Sequence, residues 1–234
     1  QSAAYVADTT QQVTLSSLTS GARYLFCQLS EKTSKYEILD GSMATTITKQ
    51  IPFCSPDYSA LADLQSGVSS QAFRFVSLEN VTGQSGFWFI RRNSDGYYFS
   101  SNGSSDLVFS SDSTYSSTTR TYFVPSAGSA SNTIRFSVYN DTSLFLGTKA
   151  EDAYFDTWHD QTNSVAAKDF ILYRVYDQSE EAATTPPPSF PRLAPSAPPT
   201  GTPPSKTSIA PGPKWRLLGE SFPHPRRASS PLLQ

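Results

Sequence analysis

The sequence has few of the side chains on which most enzyme chemistry depends. In 234 residues there are two histidines, His159 and His224, two cysteines, Cys27 and Cys54, and one methionine. It contains no Gly-x-Ser-x-Gly, no His-Glu-x-x-His and no phosphate-binding glycine loop. We therefore expect no catalytic residue, no cofactor and no metal ion, and interpret the chain as a binding or structural protein that is not an enzyme.

Proline is scarce in most of the chain and abundant at its end. Only three prolines precede Pro186, whereas 14 fall within the last 49 residues. Proline at that density resists regular packing and favours extended polyproline II. We predict one folded domain at residues 12–177, followed at 178–234 by a disordered Pro/Ser/Thr-rich stalk or tail.

The part of the chain before Pro186 has a deficit of basic residues. It contains 12 Lys and Arg against 19 Asp and Glu, a balance of −7, whereas the remainder has six against one. An acidic body offers no basic stripe to neutralise phosphates, so we expect no nucleic acid partner. The tail also has too few consecutive apolar residues for a membrane span.

Several features favour a protein that is secreted or displayed at the cell surface. The chain begins at Gln1 and not at Met, as a processed secretory product does. A disulfide between Cys27 and Cys54 stabilises such a domain by about 3–4 kcal/mol on a chain-entropy estimate, although two buried thiols are the alternative. Asn-x-Ser/Thr sequences, the acceptors of N-linked glycans, begin at Asn80, Asn102 and Asn140. We expect a monomer.

Short runs of alternating apolar and polar residues are abundant. The clearest unit, Thr133–Tyr176, contains the runs IRFSV, SLFLG, AYFDTW and FILYRVY, separated by polar turns. Side chains of a strand alternate between its two faces, so each run predicts a strand with one buried face. Looser copies occur at 22–78 and 86–125, the first of them closing on Gln71–Leu78. Three units of four runs predict twelve short strands.

The spacing of the units is regular except in the first. Phe87 and Ile134 are 47 residues apart, whereas Tyr24 and Phe87 are 63 apart. The excess corresponds to an insertion at 52–70, in which Pro and Asp after Ser55 are typical of a helix start. We predict a short helix that packs over one end of the body and ends before Gly67. One face of this helix carries Tyr58, Leu61 and Leu64.

Threefold repetition of a four-strand unit resembles the β-trefoil, a six-stranded barrel closed at one end by three hairpins. Over residues 12–176 the pattern is similar to ricin-B-type lectins and to fascin-like trefoils. The resemblance implies an all-β fold with a short helix inserted in the first repeat. The trefoil and its stalk together resemble secreted fungal wall or surface proteins.

The resemblance also implies a place for a ligand. In ricin-B-type lectins, a sugar pocket in each repeat uses an Asp, then an aromatic platform, then an amide. Carried onto the third repeat, these positions are Asp152, the platform Trp158 and His159, and Asn163. Lys168-Asp169-Phe170 stands where the family has Gln-x-Trp. The alternative for Trp158 is that it packs as a barrel or cap residue.

The other two repeats contain fewer residues that match the sugar-binding positions of the family. The second supplies Asp106, Asp112 and Tyr115, and the first supplies Asp40 without a platform. The resemblance therefore implies a non-catalytic carbohydrate-binding module whose partners are glycans or glycoproteins. Two alternatives stay open. One is a trefoil protease inhibitor that acts through the insertion at 52–70, and the other is an adhesion or scaffold domain with no small ligand.

Overall fold

A computed structural model describes residues 4–44, 51–53, 57–102, 106–116, 119–149, 154–159 and 166–178. All of them lie in the first of the two units into which the chain divides, Gln1–Pro187. Apart from Gln178, the predicted tail lies outside these residues, so its disorder stays a prediction. Within the described ranges no helix is long and apolar enough to cross a membrane.

Strands dominate the described residues. One α-helix, α1 (Leu61–Gly67), continues directly into a 3₁₀ helix, Val68–Arg74, and a short 3₁₀ turn lies at Leu15–Ser17. The strands are β1 (Tyr5–Ala7), β2 (Ala22–Leu29), β3 (Tyr36–Ile38), β4 (Ile51–Pro52), β5 (Val76–Asn80), β6 (Trp88–Arg92), β7 (Tyr98–Ser101), β8 (Leu107–Ser110), β9 (Phe123–Ala127), β10 (Ile134–Val138), β11 (Asp141–Lys149), β12 (Tyr154–His159), β13 (Ala166–Ala167) and β14 (Ile171–Asp177).

Six of these strands close into a barrel. The antiparallel pairs run from β2 to β5, β6, β9 and β10 in turn, and β14 pairs with β2. The ring is completed between β10 and β14. There Ile134 and Phe170, the residue before β14, exchange two backbone hydrogen bonds of 2.9 Å each. A closed barrel leaves none of these strands with an open edge.

The remaining strands of each repeat form a hairpin. β7 pairs with β8, and β11 pairs with β12. In the first repeat β3 approaches β4 through a single bridge between Leu39 and Phe53. β4 also pairs with β12, which joins the hairpins of the first and third repeats. A six-stranded barrel with three hairpins is a β-trefoil, so the predicted fold is confirmed.

Two regions differ from the sequence-based prediction. Residues 71–74, predicted as part of a strand, belong to the 3₁₀ helix, and Tyr58, predicted on the helix, pairs its backbone with Tyr36 instead. Both predictions were wrong because long-range packing outweighs local alternation here. Leu64, Val68 and Ala72 of the helical segment are buried in one cluster. The strand β1, which pairs with β14, lies ahead of the predicted start of the domain at residue 12.

Burial on both faces explains the nearly continuous apolar run of β2. Tyr24 and Phe26 belong to the cluster that fills the barrel. Leu25 and Cys27 face the other way, into a second cluster beneath the helical segment. The insertion in the first repeat therefore covers the outside of the barrel at β2 and β14, which turns a face that is normally wet into core.

A buried arginine holds the turn between β6 and β7. The side chain of Arg92 is 4% exposed, and it donates two hydrogen bonds, of 2.8 and 2.7 Å, to the carboxylate of Asp95. Its guanidinium also lies 4.1 Å from the ring centre of Phe109. Gly96 supplies the positive φ, +72°, of this tight hairpin. Hydrogen bonding from Arg92 lowers the pKa of Asp95.

Asp95→Asn should destabilise the fold at neutral pH. It leaves the buried Arg92 without its charged acceptor, so we expect the free energy of unfolding at pH 7 to fall by about 1–3 kcal/mol. A lowered pKa stabilises the fold above the unfolded value and ceases to do so as the pH falls through the folded value. The difference between variant and wild type should therefore shrink below about pH 4.

Urea unfolding at pH 7 and at pH 3 measures this difference. Asp112→Asn is the control, because the exposed Asp112 accepts hydrogen bonds from Thr114 within its own turn and has no arginine partner among the residues that the structure describes. A loss as large in the control as in Asp95→Asn would contradict the role assigned to the buried pair.

Candidate functional site

The residues predicted to bind carbohydrate in the third repeat lie on or near β12. Trp158 and His159 are its last two residues, and their backbone pairs with β11. Asp152 and Asn163 lie outside the described residues, as does the side chain of His159. The structure therefore does not test whether the four side chains come together, and that grouping stays a prediction.

Trp158 itself is buried, with 8% of its surface exposed. The ammonium of Lys149 lies over its indole ring, 4.0 Å from the ring centre, and the ring of Tyr154 stacks at 6.4 Å. Its Nε1 is buried and has no hydrogen-bond partner in the described part of the chain. An indole covered in this way leaves little of its face for a sugar. The geometry favours the packing role that the sequence left open for it.

Two aspartates of the predicted pockets are tied into the fold. Asp40 of the first repeat is buried, forms an ion pair with Arg74, and accepts a 2.9 Å hydrogen bond from the backbone of Ser42. Asp106 of the second repeat accepts a 3.0 Å hydrogen bond from the side-chain amide of Asn102. Among described residues, no three His, Cys, Asp or Glu side chains are grouped to hold a metal ion.

The predicted modification sites differ in accessibility. Asn80 and Asn140 are exposed, whereas Asn102 is half-buried. Cys27 is buried on β2, and Cys54 lies outside the described residues, so the disulfide stays a prediction. Glycosylation at the three asparagines also stays a prediction, with the open positions Asn80 and Asn140 best placed for it.

Sequence reasoning named Tyr115 as a candidate residue of the second repeat but missed the group of aromatic rings to which it belongs, on the outside of the barrel. We call it the aromatic cluster; its members are the half-buried side chains of Phe87, Tyr115, Tyr122 and Tyr139. Ring centres are 4.5 Å apart for Phe87 and Tyr139, 5.1 Å for Tyr115 and Tyr122, and 5.3 Å for Tyr115 and Tyr139. The cluster is one continuous apolar surface formed from the second and third repeats.

Strand pairing explains why these rings meet. Phe123 of β9 lies opposite both Trp88 of β6 and Val138 of β10. The neighbouring residues Phe87, Tyr122 and Tyr139 therefore fall side by side, with their side chains directed away from the barrel core. The signal in the sequence is an aromatic residue adjacent to each of three core residues, and it is readable only once the register is known.

The side chain of Asn140 borders the aromatic cluster. Asn140 is exposed with a φ of +64°, and its side-chain amide donates a 3.2 Å hydrogen bond to the phenol oxygen of Tyr115. Asp112 lies three residues before Tyr115, in the same segment. Hydrogen bonds from Thr114 lower the pKa of Asp112, so its carboxylate is ionised at neutral pH. The surface thus combines flat apolar rings with the amide of Asn140.

Several solved structures are similar to the chain. A lectin of Polyporus squamosus, bound to the human-type influenza-binding epitope Neu5Aca2-6Galb1-4GlcNAc, has a TM-score of 0.43 and 11% identity; the match covers 66% of this chain and 49% of the lectin. The designed threefold symmetric protein ThreeFoil has a TM-score of 0.40 and 11% identity, over 64% of this chain and 96% of its own.

An enzyme is also among these structures. A GlcNAcα1-4Gal-releasing endo-β-galactosidase from Clostridium perfringens has a TM-score of 0.45 and 12% identity, over 66% of this chain and 33% of the enzyme. The chain thus spans about half of the lectin and a third of the enzyme. No protein-family model and no curated protein matches the chain. The assignment of the β-trefoil rests on the closed barrel and its three hairpins.

Trp158→Ala should lower stability because it empties a buried site. We expect the free energy of unfolding to fall by about 3–5 kcal/mol, and by less in Trp158→Phe, which keeps part of the ring volume. Chemical denaturation followed by circular dichroism measures both losses. Leu29→Ala is the control, since Leu29 is 49% exposed and should lose little. A Trp158→Ala protein as stable as wild type would show that the indole is not packed and is available to a ligand.

Proposed function

We propose that the trefoil domain is a carbohydrate-binding module that acts without catalysis and outside the cell. One observation carries the proposal: the aromatic cluster, a continuous patch of half-buried rings with Asn140 at its border. The domain would bind glycans or glycoproteins as a monomer.

The chemistry of the aromatic cluster suits a sugar. A pyranose has one face of C–H groups and a rim of hydroxyls, so it needs a flat apolar platform with polar groups beside it. Tyr115 and Tyr139 provide ring surface, and their contacts with Tyr122 hold them in place before a ligand arrives. Rings that are already ordered lose little side-chain entropy on binding.

The polar border supplies the hydrogen bonds. The amide of Asn140 both donates to and accepts from sugar hydroxyls, and we propose that the carboxylate of Asp112, three residues before Tyr115 in the chain, accepts from them as well. Asn140 is also a predicted glycosylation site, and a glycan attached there would lie beside Tyr115. Binding is therefore to be measured on protein made without N-linked glycans as well as with them.

The structure does not favour the protease inhibitor. An inhibitory loop has to present an extended, exposed segment to the protease. The described part of the insertion is helical from Leu61 onward, and it buries Leu64 and Val68 in the second core cluster. Its role is to cover the barrel.

The test is a glycan array probed with wild type, Tyr115→Ala and Tyr139→Ala. We expect wild type to bind a defined set of glycans and each variant to bind them about tenfold more weakly, as the loss of one stacking contact implies. Tyr97→Ala is the matched control, because Tyr97 is an exposed tyrosine outside the aromatic cluster and should bind like wild type.

Two results would overturn the proposal or its site. Absence of binding by folded wild type, with and without N-linked glycans, would leave the adhesion or scaffold domain as the better interpretation. Binding kept by Tyr115→Ala and Tyr139→Ala but lost by the folded Trp158→Phe variant would return the site to the third repeat.

A further inference from the structure

A separate cavity of about 350 Å³ lies where the N-terminal segment crosses β2 and β14. The segment is held there by backbone hydrogen bonds of 2.8 Å from Asp8 to Arg174 and from Val13 to Leu172. The cavity shares no residue with the aromatic cluster. Its polar lining includes Gln11, Gln12, Thr14 and Ser17 of the segment, and Arg174 and Tyr176 of β14.

Arg174 is the cationic group of this cavity. Its guanidinium lies 5.5 Å from the ring centre of Tyr24 and 5.2 Å from that of Tyr176. Its Nε is buried without a hydrogen-bond partner, and its side chain forms no ion pair with any residue that the structure describes. Other arginines do pair with carboxylates: Arg74, Arg91, Arg92, Arg120 and Arg135.

The guanidinium of Arg174, between two tyrosine rings and without a carboxylate partner among the described residues, is suited to bind an oxyanion. Tyrosine rings attract the cation through their faces, but they accept none of its in-plane N–H groups. Those N–H groups form a rigid fork that matches two oxygens of a carboxylate or sulfate. Asp8 also lines the cavity, but its Oδ1 accepts hydrogen bonds of 3.0 and 2.6 Å from the backbone and hydroxyl of Thr10.

The rest of the lining indicates what carries the oxyanion. The amides of Gln11 and Gln12 and the hydroxyls of Thr14 and Ser17 are donors and acceptors for several hydroxyl groups at once, and Tyr176 adds an aromatic ring. A cavity of about 350 Å³ is at the small end of ligand sites. We propose that it binds one anionic sugar unit, with the carboxylate or sulfate of that sugar on the guanidinium of Arg174.

This site does not depend on the proposed function of the aromatic cluster. An anionic sugar can bind the cavity whether or not neutral glycans bind the cluster. The tyrosine variants of the aromatic cluster leave every residue of the cavity in place, so failure of one site is distinguishable from failure of the other.

The test is titration calorimetry of the full chain with glucuronate, galactose 6-sulfate and galactose. We expect at least one of the two anionic sugars to bind about tenfold or more tightly than galactose, because only they can engage the guanidinium. Whichever anion binds more tightly identifies the oxyanion. Absence of binding by both anions at millimolar concentration would overturn the proposal.

Variants of Arg174 distinguish the contribution of its bidentate guanidinium geometry to anion binding from the contribution of its positive charge. Arg174→Gln should weaken anion binding about tenfold, and Arg174→Lys should restore only part of it, since an ammonium lacks the bidentate geometry. Arg91→Gln, which removes the same charge from a partly exposed arginine outside the cavity, should bind like wild type. Equal losses in Arg91→Gln and Arg174→Gln would reduce the effect to net charge and overturn the site.

Folding of each variant is checked by circular dichroism and by its melting temperature. Gln12→Ala provides a second approach, because it alters the cavity on the opposite element and leaves Arg174 unchanged. We expect it to weaken binding of the preferred anion severalfold. Unchanged binding in both Gln12→Ala and a folded Arg174→Gln would place the anion elsewhere on the chain.

Discussion

The closure of the barrel between β10 and β14 is the constraint on which the rest of the structure depends. Among the described residues, one pair joins these strands, Ile134 and Phe170, through two backbone hydrogen bonds. The ring of Phe170 is fully buried and packs against Phe26 of the first repeat and Phe136 of the third, with ring centres 5.3 and 6.4 Å apart. A single residue therefore combines the last backbone link of the barrel with the centre of its core.

Both proposed binding surfaces are consequences of strand pairing. The aromatic cluster exists because Phe123 lies between β6 and β10, which brings the residues beside each partner together. The cavity exists because Arg174 lies opposite Tyr24 on the neighbouring strand, under a segment that is tied to β14. Neither surface belongs to one repeat, so neither follows from a site copied from repeat to repeat.

The aspartates at which the family resemblance placed sugar ligands form hydrogen bonds and ion pairs within the fold instead. Asp40 is buried and compensated by Arg74 and Ser42, and Asp106 accepts a 3.0 Å hydrogen bond from the side-chain amide of Asn102. A buried carboxylate needs such partners. These residues stabilise loops and hairpins. Tyr115, which the resemblance named for the second repeat, belongs to a surface shared with the third repeat.

Alternation and the threefold spacing were sufficient to predict the β-trefoil, because both are properties of short stretches and of their repetition. The bounds of β10 follow directly from the run IRFSV. Three features depend on neighbours that are distant in the chain: the face of the sheet on which an aromatic side chain lies, the 3₁₀ continuation of α1 and the pairing of β1. The local sequence pattern does not predict these features. Trp158 and Arg174 show the same division. The sequence determined that an indole and a guanidinium are present. Only tertiary packing buried the indole of Trp158 and left the guanidinium of Arg174 at a cavity, because burial and pairing are properties of assembled strands.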